Sequence, residues 1–184
     1  MIAKLFAVAV FSAAVSMPAL AQETKREIIN VKGNVWRFQN DFHFSVFVIT
    51  DGGVIVTDPI NAAAAAWLKD EIAKMTDKPV THIIYSHGHE DHASGGSVFA
   101  DTATAITEID APENLHGVVP QIRFSERLIL RSGNHVIELT SLGAGHSDDL
   151  LAMVIRPENV AFIVALRRQS ACLFEIFLVP KLTA

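Results

Sequence analysis

Cysteine is nearly absent. Cys172 is the only one in 184 residues, so no internal disulfide is available and the fold must stand on its hydrophobic core. The same scarcity excludes cysteine-ligated zinc sites, including the P-C-x-x-C half of a zinc deaminase. Basic charge is also in deficit. Lys and Arg number 15 against 20 Asp and Glu, a formal net charge of −5, and no basic stripe runs along the chain. No nucleic-acid partner is therefore expected. The N-terminal apolar run, Leu5 to Val15, is too short for a comfortable membrane span. No H-E-x-x-H motif is present, because His89-Glu90-Asp91-His92 spaces its histidines one residue too closely for a zinc-protease helix. There is no internal repeat of fixed period, and no linker marks a second domain.

What is present describes one globular domain, at 50% hydrophobic and 19% charged residues. The first residues read as a secretory leader over residues 1–21. Lys4 supplies the positive start, Leu5 to Val15 the apolar centre, and Ala19-Leu20-Ala21 the small-residue cleavage site. Cleavage before Gln22 leaves an acidic protein, expected to be periplasmic or secreted, with no membrane span. The residue after the cleavage site is not cysteine, which argues against a lipid anchor. The folded domain is expected over residues 22–166. From Arg167 the periodicity is lost, and residues 167–184 read as an aberrant or truncated tail.

Strand signals dominate. Short strands are expected between Arg26 and Asn40 around a Lys32-Gly33-Asn34 turn, then Phe42 to Thr50, Val54 to Thr57, Val80 to Tyr85 and Thr102 to Ile106. Further strands are expected at Arg123 to Arg131, His135 to Ser141, Leu150 to Ile155 and Val160 to Leu166. One crossover helix is firm. Asn61 caps it, Ala62 to Met75 fills it, and Leu68, Ile72 and Met75 form its apolar stripe. A short helical piece is expected at Ser97 to Ala100, and a weak helix or loop at Asp110 to Gly117.

The chemistry concentrates directly after the strand Val80 to Tyr85, where His87, His89, Asp91 and His92 fall within six residues. Neutral imidazoles and a carboxylate suit Zn²⁺ and neighbouring first-row ions. Alternate residues on an extended backbone point the same way, so His87 and His89 can converge on one ion. Asp91 and His92, past the bend, then face a second position. His146, in the glycine-bearing loop from Leu142 to Asp149, can complete the first site from a distance. Three protein ligands with one open position is the catalytic arrangement for zinc, and the ion lowers the pKa of its water from 15.7 to about 7. Asp91 is a ligand of a second ion or, without one, the general base. Asp58 ends a buried strand and needs a partner, which places it beside the metal loop or in a cap. Asp148 and Asp149 either cap a turn or orient a ligand. His82 is expected to pack within its strand and His135 to be exposed beside a turn. His43 and His116 take ordinary roles by default, with facing the substrate as the alternative.

The residues Thr57-Asp58-Pro59, the H-x-H-x-D-H run from His87 to His92 followed by Gly95-Gly96, and the G-x-x-H of Gly143 to His146 resemble the metallo-β-lactamase-fold hydrolases. The resemblance spans about Ile28 to Leu166. It implies an α+β fold, an αββα sandwich with its C-terminal part incomplete, and a metal site at one edge of two sheets. It also implies His87, His89 and His146 at a first metal position, Asp91 and His92 at a second, and Asp58 supporting the ligand loop. One Zn²⁺ is expected, with room for a second. The implied function is hydrolysis of a small molecule by activated water, its class unresolved among β-lactam, thioester, lactone and other ester; a nuclease is disfavoured by the acidic charge and leader. Two departures stand out: Ala165 occupies the place where the family carries a bridging aspartate, and no histidine follows His146. The alternative is thus an impaired or inactive metal-binding remnant.

Overall fold

A computed structural model of the chain describes residues 24–168 and 171–180. The leader and its cleavage site lie outside the described residues. Two sheets are present. Strands β1 (Arg26–Lys32), β2 (Val35–Asn40), β3 (His43–Thr50) and β4 (Gly53–Thr57) form an antiparallel meander. Helix α1 (Ala62–Met75) then crosses over, and β5 (Val80–Ile84), β6 (Thr104–Glu108) and β7 (Ile122–Phe124) continue the same sheet in parallel. Between β5 and β6 lie a one-turn helix, α2 (Glu90–Ala93), and a 3-10 turn at Gly96–Phe99. The second sheet is antiparallel: β8 (Arg127–Ser132), β9 (His135–Ser141), β10 (Leu151–Arg156), β11 (Val160–Arg168) and β12 (Ala171–Leu178). Within the stretch read as an aberrant tail, β12 pairs with β11 as an edge strand.

Two cores explain the layering. Alternate residues of β4 point to opposite faces: Val54 and Val56 pack with α1, whereas Ile55 joins Val46, Val48, Ile84, Leu139 and Met153 between the sheets. A strand buried on both faces reads as the unbroken apolar run seen here. Helix α1 starts where Asn61 Oδ1 accepts the Ala64 N–H at 2.9 Å. Its stripe of Ala64, Ala65, Leu68 and Ile72 is buried, and full burial of a side chain such as Leu68 contributes about 1.5–3 kcal/mol. Met75, expected in that stripe, is 37% exposed at the helix end. Among the described residues no helix covers the outer face of the second sheet, and no helix is long and apolar enough to cross a membrane.

Two further sequence expectations need correction. The single strand expected from Arg123 to Arg131 is two strands, and they belong to different sheets. Ile122, Phe124, Leu128 and Leu130 all face the inter-sheet core, and Glu126 falls at the same parity between them. A carboxylate does not belong in that core, so the chain leaves one sheet there and enters the other. His135 is buried, at 5% exposure, rather than exposed beside its turn. Its Nε2 lies 3.1 Å from Glu158 Oε1, and Lys32 Nζ donates to the Glu158 carbonyl at 2.8 Å. The β10–β11 hairpin thereby closes over His135.

Candidate metal centre

Strands β4 and β5 are parallel neighbours, so the loops after them emerge side by side at one sheet edge. The first carries Asp58 and the second carries the histidines. The Asp58 N–H donates to Ile84 O at 3.1 Å, and the Leu151 N–H donates to Ser86 O at 3.0 Å, which pins the histidine loop to both sheets. Asp58 and Ile60 have φ of +35° and +63°. This left-handed region is uncommon for aspartate and strained for a β-branched residue. Cross-links hold it: the Ile60 N–H donates to His92 O at 2.9 Å, and Ser94 Oγ donates to Ile60 O at 3.0 Å. The Gly95 backbone lies so close that a Cβ there would sit 2.5 Å from the carbonyl oxygens of both Pro59 and Asn61.

Asp58 is fully buried and accepts twice from Ser86, at Oδ1 from the N–H (2.7 Å) and at Oδ2 from Oγ (2.6 Å). Ser86 Oγ also lies 2.9 Å from His87 Nδ1. A hydroxyl has one proton, and an ionised carboxylate only accepts. Ser86 therefore gives its proton to Asp58 and accepts from His87 Nδ1–H. The tautomer follows: Nε2 of His87 carries the bare lone pair. That atom is buried and has no hydrogen-bond partner. Burial, with smaller contributions from the other imidazoles and against the pull of Asp58, lowers the His87 pKa to about 4. The ring is therefore neutral at neutral pH and ready to ligate.

The rings of His89 and His146 meet it. Centroids lie 4.6 Å apart for His87 and His89, 5.3 Å for His87 and His146, and 4.7 Å for His89 and His146. One ligand nitrogen from each falls within 4.8 Å of the others. His146 reaches this point from a loop closed by Leu142 N–H to Leu150 O (2.8 Å) and Gly145 N–H to Ser147 O (3.1 Å), with Gly143 at φ +68° turning the chain. Position 88 favours glycine, because a Cβ there would stand 2.9 Å from Pro112 Cδ and 3.0 Å from Leu115 Cδ2. An orphaned buried nitrogen facing two further imidazoles is a donor set that fits a first-row ion such as zinc, copper, iron or nickel.

Beside this group stands a second one. Asp91 and His92 lie on α2, and the rings of His87 and His92 are 4.6 Å apart. His92 Nδ1 lies 3.4 Å from Asp58 Oδ2, so the same carboxylate steadies both histidines. Burial works against protonation of His92, but Asp58 and then Asp91 outweigh it and raise its pKa. Burial likewise opposes ionisation of Asp91, yet the imidazoles of His92 and His43 hold its carboxyl below the usual range. His43, on β3, departs from the ordinary role its sequence context suggests: its Nε2 lies 3.2 Å from Asp91 Oδ2.

Among the other sequence candidates, Asp149 is buried and accepts from Ser147 Oγ, and burial pushes its carboxyl up. Asp148 is exposed. His116 is exposed with Nε2 3.2 Å from Gly88 O, and His82 contacts Thr81 Oγ1 at 3.0 Å.

A family model described as the metallo-beta-lactamase superfamily matches residues 39–156. Among curated proteins, the chain is 27% identical to "2,4-dinitroanisole O-demethylase subunit alpha" from Nocardioides sp. (strain JS1661), over 72% of this chain and 44% of that protein. The chain thus spans less than half the length of that relative. Among solved structures, metallo-beta-lactamase IND-7 aligns with a TM-score of 0.70 at 22% identity, covering 82% of this chain and 76% of that one. A metallo-beta-lactamase from Pontibacter korlensis aligns with a TM-score of 0.69 at 18% identity, covering 80% and 75%. At these identities the likeness is one of fold.

Proposed function

The chain belongs to the metallo-β-lactamase superfamily, and on that premise we propose that it is an exported, zinc-dependent metallo-hydrolase acting on a small molecule. The observation that carries this reading is the convergence of His87, His89 and His146, with ligand nitrogens within 4.8 Å of one another. Zinc held by these three imidazoles would supply the Lewis acidity that brings the pKa of a water to near neutral. The chain's own residues do the rest. Ser86 and Asp58 keep the His87 proton on Nδ1, so Nε2 faces inward. Asp91, ionised and adjacent, takes a proton from the attacking water when no second ion claims it. The acidic balance of the chain argues against a nucleic-acid substrate. The leader-like segment at residues 1–21 supports a periplasmic or secreted location.

A β-lactam, thioester, lactone or other ester remains the expected substrate class. The name of the curated relative adds an activated aryl methyl ether to the panel. The second reading is a metal-binding protein that turns nothing over. It is favoured by Ala165 on β11, where the family carries a bridging aspartate.

The test is zinc content of the purified chain together with turnover of that panel, with and without a chelator. The enzyme reading predicts at least one chelator-sensitive rate that His87→Ala abolishes. Identical rates for wild type and His87→Ala on every substrate would leave only the metal-binding reading.

A further inference from the structure

We infer that His43 completes a second metal site with Asp91 and His92, a set of two imidazoles and one carboxylate. This rests on the reading of the neighbouring three-histidine group as a zinc site. Asp91 and His92 alone offer two ligands, one fewer than an open zinc site uses. Among the described residues, His43 is the side chain that brings a third ligand atom to them.

The distances fit an ion. Bonds of about 2.0–2.2 Å in tetrahedral geometry set ligand atoms roughly 3.3–3.6 Å apart. His43 Nε2 lies 3.2 Å from Asp91 Oδ2, and His92 Nε2 lies 3.7 Å from the same oxygen. All three ligand atoms fall within 4.8 Å, so a small rotation of the partly exposed His43 closes the set. The His43 and His92 rings stand close together, with centroids 5.6 Å apart and planes 77° to one another. His92 is already aimed: its Nδ1 faces the buried Asp58 carboxylate at 3.4 Å, which leaves Nε2 for a ligand.

The surroundings leave a place for an incoming group. A cavity of about 440 Å³ opens beside the site, lined by His43, Ile60, Asn61, Glu90, Asp91 and Ser94. The bland role for His43 is a surface ion pair with Asp91. Such a pair does not require the second imidazole nitrogen of His92 beside the same oxygen, nor an open cavity next to it. With an ion present, Asp91 acts as a ligand and no longer as a base. The fold supplies the third ligand from the start of β3, with β4, α1 and β5 lying between it and the helix that carries the other two.

The test is zinc stoichiometry and affinity of the metal-stripped full chain, by calorimetric titration and elemental analysis. Wild type is expected to take two ions per chain. His43→Ala and the near-isosteric His43→Gln are expected to take one, with the tighter event unchanged, and His43→Asp to restore the second. Circular dichroism melts confirm that each variant is folded. Two ions in both His43→Ala and His43→Gln would overturn the assignment, as would one ion in wild type that neither variant affects. No bound ion in wild type would instead sink the three-histidine reading itself.

Discussion

Replacing Asp58 by asparagine changes one atom and should reverse a chain of protons. In the protein as it stands, Asp58 Oδ2 accepts from Ser86 Oγ at 2.6 Å, and Ser86 Oγ accepts from His87 Nδ1 at 2.9 Å. An asparagine can keep its oxygen at the Oδ1 position, where the Ser86 N–H donates at 2.7 Å. Its NH₂ then stands where Oδ2 was and must donate to Ser86 Oγ. The serine proton turns toward His87 Nδ1, which can accept only if the imidazole proton moves to Nε2. That nitrogen is the one facing His89 and His146, so the ligand lone pair is lost. Removal of such a supporting group typically costs 10–100-fold in metal affinity, about 1.4–2.7 kcal/mol. The assay is zinc competition against a chromophoric chelator, with a urea melt to confirm folding. Asp58→Ala should weaken zinc as well, but mainly by leaving two buried donors unpaired, with a stability loss of about 2–5 kcal/mol. Wild-type zinc affinity in a folded Asp58→Asn protein would refute the proton chain.

Three further outcomes follow from the same geometry. Gly95→Ala should destabilise the fold by about 1–3 kcal/mol and weaken zinc, because its Cβ would meet two backbone carbonyls at 2.5 Å; unchanged melting would contradict that packing. His135→Ala should cost about 1–3 kcal/mol, since it takes a hydrogen-bond partner from the buried Glu158, yet leave zinc stoichiometry intact. Denaturation and elemental analysis read the two effects separately. Metal-free protein should lose stability as the pH falls from 6.5 toward about 4, the window between the unfolded and folded values of His87. The unfolded chain binds a proton there that the folded chain refuses, a loss of up to about 3 kcal/mol. His92 has a raised folded value and the opposite sign, its stabilisation being lost only as the pH rises above 6.5. Urea titrations near pH 7 and pH 5 should show this slope, and His87→Gln should flatten it.

What the sequence made legible was local. Asn61 ahead of an alanine-rich stretch announced both the start of α1 and its cap, and the bond to Ala64 N–H is there. The strand that leads into Ser86-His87-Gly88-His89 was readable because the apolar run and the ligand spacing follow one another directly. The non-local facts were hidden. His43 looked ordinary because its neighbour Asp91 is 48 positions away, and only the pairing of β3 with β4, and of β4 with β5, brings them together. His135 sits beside a turn, which suggests exposure, but a hairpin more than 20 residues later covers it. Strands β7 and β8 share one alternating pattern because both face the same core. Period alone cannot say that they lie in different sheets, although Glu126 at the inward parity was the sign of a break.

The central claim is that imidazoles of His87, His89 and His146 share one ion. X-ray absorption at the zinc edge, on protein loaded with one equivalent, measures this directly. The expected spectrum has three imidazole nitrogens at about 2.0–2.1 Å, falling to two in His146→Ala with a matching loss of affinity. A spectrum that His146→Ala leaves unchanged would contradict the claim.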